Sequence, residues 1–224
     1  MDGLRKHDNV LSICDHVVMT RTAYVALYDT LADWETGHLL VELHTGRFTG
    51  IPWRIVTVAE TMDPITTMGG VRMVPDLTLA DLDPTDADLL VLAGAAMWDL
   101  GGGRPWVEVA ATFLAAHVPV AAICGATAGL AGAGLLDHRD HTSAAAEYLA
   151  ALPGYHGADH YVAARAVSDG DLITAGPQSP VQFARATLGC LGLAPEEVLQ
   201  AYEDLFHGGA PAAFGVLMQA AAAR

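Results

Sequence analysis

Positive charge is scarce in this sequence. Its 11 lysine and arginine residues face 26 aspartate and glutamate residues, and the formal net charge at pH 7 is -15. Such a balance repels phosphate backbones and anionic lipid surfaces, and no basic cluster offsets it. We therefore expect a small-molecule substrate, and neither nucleic acid nor a membrane as a partner.

Cysteine is also scarce. Only Cys14, Cys124 and Cys190 are present, and they lie far apart in the sequence. An odd number of widely separated cysteines argues against a disulfide framework, and the lack of a CxxC pair argues against a zinc site. A reducing compartment, the cytoplasm, fits this usage best.

Long apolar runs are missing as well. No stretch reaches the roughly 20 residues that a transmembrane helix needs. A short apolar run at residues 10–14 is interrupted by Asp15 and His16, which makes it a poor signal peptide. We predict an N-terminal extension over residues 1–20 and one domain over residues 21–224.

What the chain does have is a large apolar fraction, 52% of 224 residues, which is enough for one sizeable core.

Patterns typical of strands and helices alternate along the chain. The sequence predicts strands at 22–28, 53–58, 89–93 and 118–123, with a hairpin around Gly69-Gly70 and a strand pair at 161–174. It predicts helices at 34–44, 107–117, 125–135, 180–191 and 195–206. This alternation predicts an α/β fold with a doubly wound, mostly parallel sheet between helices. Sites in such sheets form outside the carboxyl ends of the strands, here after Tyr28, Ala93 and Ile123.

Cys124 directly follows one of these strands and opens the run CGATAG. A nucleophile at this position stands on a tight strand-to-helix turn, which needs small neighbours because backbone segments approach each other closely. The following helix would direct N–H groups at the sulfur and favour the thiolate. The alternative is a small buried hydrophobic residue, the common fate of an unpaired cysteine.

Glu35 is the second candidate, in the segment ADWET after the first strand. An acid in a first helical turn can simply complement the helix dipole, but Asp33, the expected N-cap, already meets that need. We therefore predict that Glu35 lies over the strand ends near Cys124, where burial and a thiolate would raise its pKa. Once protonated, it would donate a hydrogen bond to the sulfur and act as acid or base.

The segment LAGAA at residues 92–96 ends the strand before this turn. The backbone N–H groups of Gly94 and Ala95, with that of Gly125, are candidate donors to an oxyanion. A tight turn without a ligand is the alternative. Trp98 either lines the substrate cavity or packs in the core. The glycines at 101–103 lack a Walker lysine, so we interpret them as a lid or loop rather than a phosphate site.

Together, the segments ADWET, VLAGA and VAAICGATAGLAGAGLLDHRDHTS resemble the DJ-1/PfpI superfamily, relatives of the class I glutamine amidotransferases. The resemblance covers about residues 21–206 and implies a flavodoxin-like fold and a homodimer. It also implies that Cys124 is the nucleophile, Glu35 its carboxylic acid partner, and Ala95 with Gly125 the oxyanion donors. No organic cofactor is implied.

The chain departs from the family pattern in its histidines. Amidotransferases carry a late His-x-Glu motif, which is missing here, and PfpI-like proteases place a histidine directly after the cysteine, where this chain has Gly125. Both departures weaken a glutaminase or protease interpretation. His141, in the stretch DHTS, is displaced from the histidine of many DJ-1 relatives, and it either faces the pocket or has a surface role.

Two short stretches, residues 137–141 and 156–160, combine aspartate and histidine as a metal site would. Two or three ligands on a loop seldom bind a metal alone, so we interpret both stretches as solvated polar loops and predict no metal.

The leading hypothesis is a cysteine-dependent hydrolase or hydratase that acts on a small electrophilic carbon: a carbonyl, amide, thioester or isonitrile. In a second hypothesis, Cys124 is a redox or stress sensor that is oxidised to sulfinic acid. Conversion of glyoxal or methylglyoxal, a glyoxalase or deglycase type of activity that the resembled family often shows, is a third.

Overall fold

The computed structural model describes residues 21–223. The strands in this range are β1 (Thr22–Ala26), β2 (Arg54–Ala59), β3 (Ile65–Thr66), β4 (Arg72–Met73), β5 (Leu77–Thr78), β6 (Leu89–Leu92), β7 (Val120–Ile123), β8 (Ala166–Asp169) and β9 (Leu172–Ala175). The α-helices are α1 (Asp33–Thr45), α2 (Ala96–Asp99), α3 (Arg104–Ala115), α4 (Gly125–Gly132), α5 (Ala146–Ala150), α6 (Pro180–Cys190), α7 (Glu196–Phe206) and α8 (Ala213–Ala222). The predicted extension over residues 1–20, with Cys14, lies outside the described residues.

Seven strands form one sheet in the order β5-β2-β1-β6-β7-β9-β8, and β3 pairs with β4 in a separate hairpin. Every neighbouring pair in the large sheet is parallel except β8 with β9. Strands β6 and β7 consist of buried apolar residues throughout, as expected for parallel strands covered by helices on both faces. The predicted doubly wound α/β fold is confirmed.

The strand order reverses at β1, with β2 on one side of it and β6 on the other. Ligands bind outside the carboxyl ends of the strands at such a switch point. Three connections leave the sheet at this edge, after β1, β6 and β7, and they carry Glu35, Gly94 and Cys124 respectively. The fold therefore brings the three segments singled out in the sequence to one place.

The β3–β4 hairpin, predicted from Gly69-Gly70, lies beside this edge. The Thr30 N–H donates to the Thr66 carbonyl (2.8 Å), and the Gly69 N–H donates to Asp33 Oδ2 (2.6 Å). The prediction that Asp33 caps α1 is wrong: Ala32 is the N-cap and Asp33 is the first helical residue. Its carboxylate accepts from the hairpin turn instead, and this bond ties the start of α1 to the hairpin.

Some helices and strands begin or end at other residues than the sequence predicts, and others were not predicted. Helix α3 begins at Arg104, three residues earlier than the predicted 107, because Pro105 suits a first helical turn. Strand β5 and helix α2 are only two and four residues long, and the alanine-rich tail forms α8. None of the helices in residues 21–223 combines the length and apolar character that spanning a bilayer requires.

Candidate active site

Cys124 occupies the turn between β7 and α4 in a strained backbone conformation. Its φ of 61° and ψ of -128° lie in a region that residues with a side chain seldom adopt. The backbone is held there by a hydrogen bond from the Cys124 N–H to the Ala175 carbonyl (3.0 Å) and by the Thr127 hydroxyl on the Cys124 carbonyl (2.6 Å). This geometry lifts the half-buried sulfur off the sheet, as in a nucleophile elbow.

Glu35 lies in the first turn of α1, and its side chain is fully buried. Its Oε2 accepts a hydrogen bond from the Gly94 N–H (2.6 Å). Its Oε1 is also buried and has no geometric hydrogen-bond partner within the described residues. One carboxyl oxygen is thus fixed as an acceptor, which leaves the other as the natural position for a proton.

Gly94 is the point where the acid and the cysteine meet. A Cβ placed on Gly94 would lie 2.9 Å from Cys124 Sγ and 2.9 Å from Glu35 Oε2. Real Cβ atoms do not approach other atoms this closely, so only glycine fits between the two groups. Its missing side chain allows the sulfur and the carboxyl to face each other.

Burial and proximity shift the protonation of both groups. Burial raises the pKa of the Glu35 carboxyl to about 7, although the Gly94 N–H and the nearby thiol oppose this rise. Burial, followed by the negative charge of Glu35, raises the pKa of the Cys124 thiol, while the Gly125 N–H opposes the increase. The two groups therefore disfavour being ionised together, and near neutral pH the proton stays on the thiol. The raised thiol pKa runs against the preference for the thiolate that the sequence predicted for this turn.

The predicted oxyanion donors lie on the two turns that adjoin the sulfur. The Gly94 N–H is used by Glu35 and the Ala96 N–H donates to Thr30 Oγ1 (2.9 Å). Between them, the Ala95 N–H makes no hydrogen bond to any described residue. The Gly125 N–H faces the sulfur. An available N–H on each turn is compatible with the predicted donor role, which stays a prediction.

Trp98 packs beneath the elbow and also borders a cavity. Only 7% of it is exposed, and its indole N–H donates to the Ala93 carbonyl (2.9 Å). A Cβ on Gly103 or Gly129 would lie 2.1 or 2.3 Å from the indole, and one on Gly125 would lie 3.0 Å from Trp98 Cβ. The indole also lines a cavity of about 400 Å³. Trp98 therefore packs in the core and also lines a cavity, as the two sequence interpretations proposed separately.

His141 is not brought to the sulfur by any contact in the described residues. Its Nδ1 lies 2.7 Å from the Arg139 carbonyl oxygen, and its Nε2 lies 2.8 Å from the Tyr155 hydroxyl. Of the two predicted alternatives, the surface role is wrong, because the residue is fully buried, and the role in the pocket stays a prediction. Burial lowers the pKa of the ring, so a neutral imidazole with Nδ1–H donating to the carbonyl links two loops. These contacts make His141 a structural residue.

Two polar residues near the site were missed in the sequence. The Tyr148 hydroxyl on α5 donates to Asp99 Oδ1 at the end of α2 (2.6 Å), and the charge of Asp99 contributes to the raised pKa of the Cys124 thiol. The two residues are 49 positions apart and belong to no motif, so no sequence signal joins them. Among residues 21–223, no three histidine, cysteine, aspartate or glutamate side chains come together as a metal site would require.

The fold and this edge of the sheet define an α/β protein with a strained cysteine on a strand-to-helix turn and a buried acid beside it. The model of the DJ-1/PfpI family matches residues 21–189, and the chain belongs to this family.

Similar proteins occur in two Bacillus species. It is 34% identical to the "Uncharacterized protease YoaZ" of Bacillus subtilis (strain 168), over 90% of this chain and 98% of that protein. It is 30% identical to the "Uncharacterized protease YdeA" of the same organism, over 75% and 82% of the two chains. The crystal structure of a thiJ/pfpI family protein from Bacillus anthracis superposes with a TM-score of 0.84 at 36% identity, over 90% of this chain and 97% of that one.

Proposed function

We propose that the protein is a cysteine-dependent hydrolase that attacks a small electrophilic carbon, foremost that of an amide or a thioester. The observation that carries this proposal is the pairing of a strained, half-buried Cys124 with a fully buried Glu35 across Gly94. Relatives that are named proteases support hydrolysis as the reaction class. Within residues 21–223, no histidine forms a hydrogen bond or an ion pair with Cys124, so the proposal assigns the handling of the proton to the carboxyl of Glu35.

In the proposed first step, the Cys124 sulfur attacks the carbonyl carbon while its proton passes to Glu35. Because burial raises the pKa of Glu35 to about 7, the carboxylate is a usable base near neutral pH. The oxyanion that forms accepts hydrogen bonds from the N–H groups of Ala95 and Gly125. The carbon–leaving group bond then breaks, and Glu35 returns the proton to the leaving amine or thiol.

In the second step, a water molecule attacks the acyl carbon bound to Cys124. Glu35, again ionised, takes a proton from the water, and a second oxyanion forms in the same place. The carbon–sulfur bond breaks, the acid product leaves, and the proton on Glu35 returns to the thiolate. An isonitrile fits the same site without a leaving group: the sulfur bonds to the isonitrile carbon, Glu35 passes the thiol proton to that carbon, and water then attacks the resulting thioimidate. The carbon–sulfur bond breaks, one water proton goes to the nitrogen and the other returns to the thiolate, so that a formamide leaves and such hydratase chemistry stays within the proposal.

Substitution of the two central residues tests this mechanism. With an aryl amide and thioester panel, Cys124→Ser should reduce kcat/KM by at least about a thousandfold. Glu35→Gln should reduce it by about a hundredfold or more, since a positioned acid–base group contributes that much. Cys190→Ser, which changes a cysteine on α6, is the matched control and should retain full activity. A Cys124→Ser protein with normal turnover would show that the sulfur is not the nucleophile.

Thiol reactivity adds a readout that separates the roles of Glu35. Loss of the carboxylate charge removes one cause of the raised thiol pKa, so Glu35→Gln should speed alkylation of Cys124 by iodoacetamide at pH 7. A drop of one unit in thiol pKa raises the thiolate fraction about tenfold. Turnover should fall in the same variant. If both rates fall together, Glu35 supports the fold of the site rather than moving a proton.

A redox-sensing role is the second candidate, and the buried Oε1 of Glu35 is the observation that favours it. That atom has no partner within the described residues, so when protonated it is available to hydrogen-bond a sulfinate oxygen on Cys124. Peroxide treatment followed by intact-mass measurement separates the roles: a selective gain of two oxygens at Cys124 supports sensing.

Lactate release from methylglyoxal would support the glyoxalase alternative. A homodimer and a cytoplasmic location remain predictions.

A further inference from the structure

A chain of two hydroxyl groups ends on the carbonyl of Cys124. The Thr127 hydroxyl donates to the Cys124 carbonyl oxygen (2.6 Å), and Thr127 Oγ1 lies 2.6 Å from Ser143 Oγ. A hydroxyl has one proton to donate and a carbonyl oxygen can only accept, so Ser143 is the donor in the second bond. The chain therefore runs in one direction, from Ser143 through Thr127 to Cys124. The mechanism proposed above assigns nothing to Ser143.

Both hydroxyl groups are buried, and they come from different parts of the fold. Thr127 lies in the first turn of α4, and Ser143 lies in the loop between α4 and α5. This loop is held in place because the Thr142 N–H donates to Thr174 Oγ1 on β9 (2.9 Å) and the Thr142 hydroxyl donates to the Ala164 carbonyl (2.8 Å). Ser143 is therefore a fixed support for the Thr127 hydroxyl.

The bond from Ser143 distinguishes Thr127 from an ordinary helical threonine. Thr187 on α6 is also fully buried, and its hydroxyl donates to the Phe183 carbonyl one turn earlier (2.8 Å), as threonine often does in helices. Within residues 21–223, no other side chain bonds to the Thr187 hydroxyl. Helix geometry alone therefore accounts for Thr187, whereas Thr127 has a second side chain that sets the direction of its hydroxyl.

The carbonyl of Cys124 and the N–H of Gly125 belong to one planar peptide unit. This peptide bond is trans, so the two groups point in opposite directions and cannot turn separately. Gly125 is the first residue of α4, a position whose N–H has no acceptor within the helix, and this N–H faces the sulfur. A hydroxyl that holds the carbonyl on one side of the plane thus aims the N–H on the other side.

The strained backbone of Cys124 makes the direction of this plane depend on its hydrogen bonds. The plane before the cysteine is held by the bond from the Cys124 N–H to the Ala175 carbonyl (3.0 Å). The plane after it is held by two bonds to the Cys124 carbonyl, from the Thr127 N–H (3.0 Å) and the Thr127 hydroxyl. A hydrogen bond to a carbonyl also polarises the amide, which makes the N–H of the same peptide unit a better donor.

We propose that Thr127 is a positioning residue for the chemistry at Cys124. Its hydroxyl, supported by Ser143, aims the Gly125 N–H at the negative charge that develops there, first on the sulfur and then on the substrate oxygen. The effect on turnover rests on the proposed hydrolase function, whereas the effect on the thiolate needs no substrate. The stretch DHTS at residues 140–143 thereby contributes to the site through its serine.

Thiol reactivity tests the aim of the N–H. Intact mass gives the rate at which iodoacetamide labels Cys124 at pH 8 in a Cys14→Ser, Cys190→Ser background. Thr127→Ala should slow labelling about threefold, because one unit of thiol pKa lowers the thiolate fraction about tenfold and the greater nucleophilicity of a more basic thiolate recovers part of this loss. The charges of Glu35 and Asp99, which also bear on the thiol, are left in place. Loss of packing alone would expose the sulfur and speed labelling, so the sign of the change separates the two roles.

Three further variants make this comparison specific to the hydroxyl groups. Thr127→Ser keeps the hydroxyl and should label at the parent rate. Ser143→Ala, which leaves α4 untouched, should slow labelling about twofold, and it should add nothing in the Thr127→Ala background because it acts through that hydroxyl. Thr187→Ala is the matched control and should not change the rate. Equal losses in Thr127→Ser and Thr127→Ala, or faster labelling in Thr127→Ala, would overturn the inference.

Turnover gives a second readout. With the aryl amide and thioester panel, Thr127→Ala should lower kcat about a hundredfold and leave KM within about twofold, because the N–H stabilises charge that is present only in the transition state. Thr127→Ser should keep kcat within about threefold of the parent value. An increase in KM at unchanged kcat would mean that Thr127 supports substrate binding and not the aim of the N–H, and would overturn the inference.

The two readouts together separate this inference from the proposed function. Slower labelling of Thr127→Ala that is restored in Thr127→Ser, with no hydrolysis of any compound by the parent protein, supports the positioning role and overturns the hydrolase proposal. Hydrolysis that requires Cys124 but is unchanged in Thr127→Ala and Ser143→Ala, together with unchanged labelling, supports the hydrolase and overturns the positioning role.

Discussion

Replacement of Glu35 by glutamine should change how the stability of the protein depends on pH. The carboxyl is fully buried, and burial is the main cause that raises its pKa from 4.5 to about 7. Because the folded-state pKa lies above the unfolded one, the folded state holds the proton between these values, and stability falls as pH rises through that window. A shift of this size corresponds to about 3 kcal/mol in the free energy of unfolding.

Glutamine keeps the shape of the side chain and the acceptor for the Gly94 N–H but never ionises. Between pH 4 and pH 8, the free energy of unfolding of Glu35→Gln should therefore rise by about 3 kcal/mol relative to the parent protein. Urea denaturation followed by tryptophan fluorescence at a series of pH values measures this difference. Comparison of the two proteins cancels the contributions of the other acidic residues.

The Cys124→Ser background provides the control for this measurement. Burial raises the pKa of Glu35 and the thiol opposes this rise, so the pH-dependent difference should persist when the sulfur is absent. Parallel stability profiles of the parent and Glu35→Gln proteins would refute the reasoning. Such profiles would mean that water or a relaxed structure solvates the carboxylate, and the role of Glu35 as a neutral-pH base would lose its physical basis.

Two further substitutions and one control probe the packing of the site. Gly94→Ala should lower turnover at least about a hundredfold and destabilise the fold by about 1–3 kcal/mol, because its Cβ overlaps both Cys124 and Glu35. The control is Gly37→Ala on α1, where a Cβ meets nothing within 4 Å. This variant should instead gain about 0.5–1 kcal/mol in the free energy of unfolding, measured by urea denaturation. His141→Asn should lower the free energy of unfolding by about 1–3 kcal/mol, because it breaks buried hydrogen bonds. Turnover per folded molecule, measured on active-site-titrated protein, should stay unchanged. A large loss of kcat would show that His141 takes part in catalysis.

The parts of the fold and site that follow strong local rules could be predicted from the sequence. The buried strands around Leu92 and Ile123 are continuous apolar runs, and the rule that sites form at the carboxyl ends of parallel strands led to Cys124 and Glu35. The meeting of both residues at Gly94 follows from the same rule, because neighbouring strands end side by side. The steric need for glycine there is visible only in three dimensions.

Long-range pairing explains most of what the sequence prediction missed. Asp33 carries a typical N-cap signal, but a hairpin 36 residues away supplies the N–H that its carboxylate accepts. His141 lies in a stretch that resembles a catalytic motif, yet a tyrosine 14 residues later takes its Nε2. The Asp99–Tyr148 bond joins two short helices with no periodic pattern. Each of these outcomes depends on which loops meet, and local propensity does not encode that.

The three glycines around Trp98 have a mechanical consequence for the loop at residues 101–103. Gly103 packs directly on the indole ring, and the indole is in turn hydrogen-bonded to the end of β6. The loop is therefore held at Gly103 by its contact with the indole. At Gly101 its backbone is left-handed, with a φ of 76°. A rearrangement of this loop would therefore be confined to the residues before Gly103, because a shift of Gly103 itself would leave a void against the buried indole of Trp98.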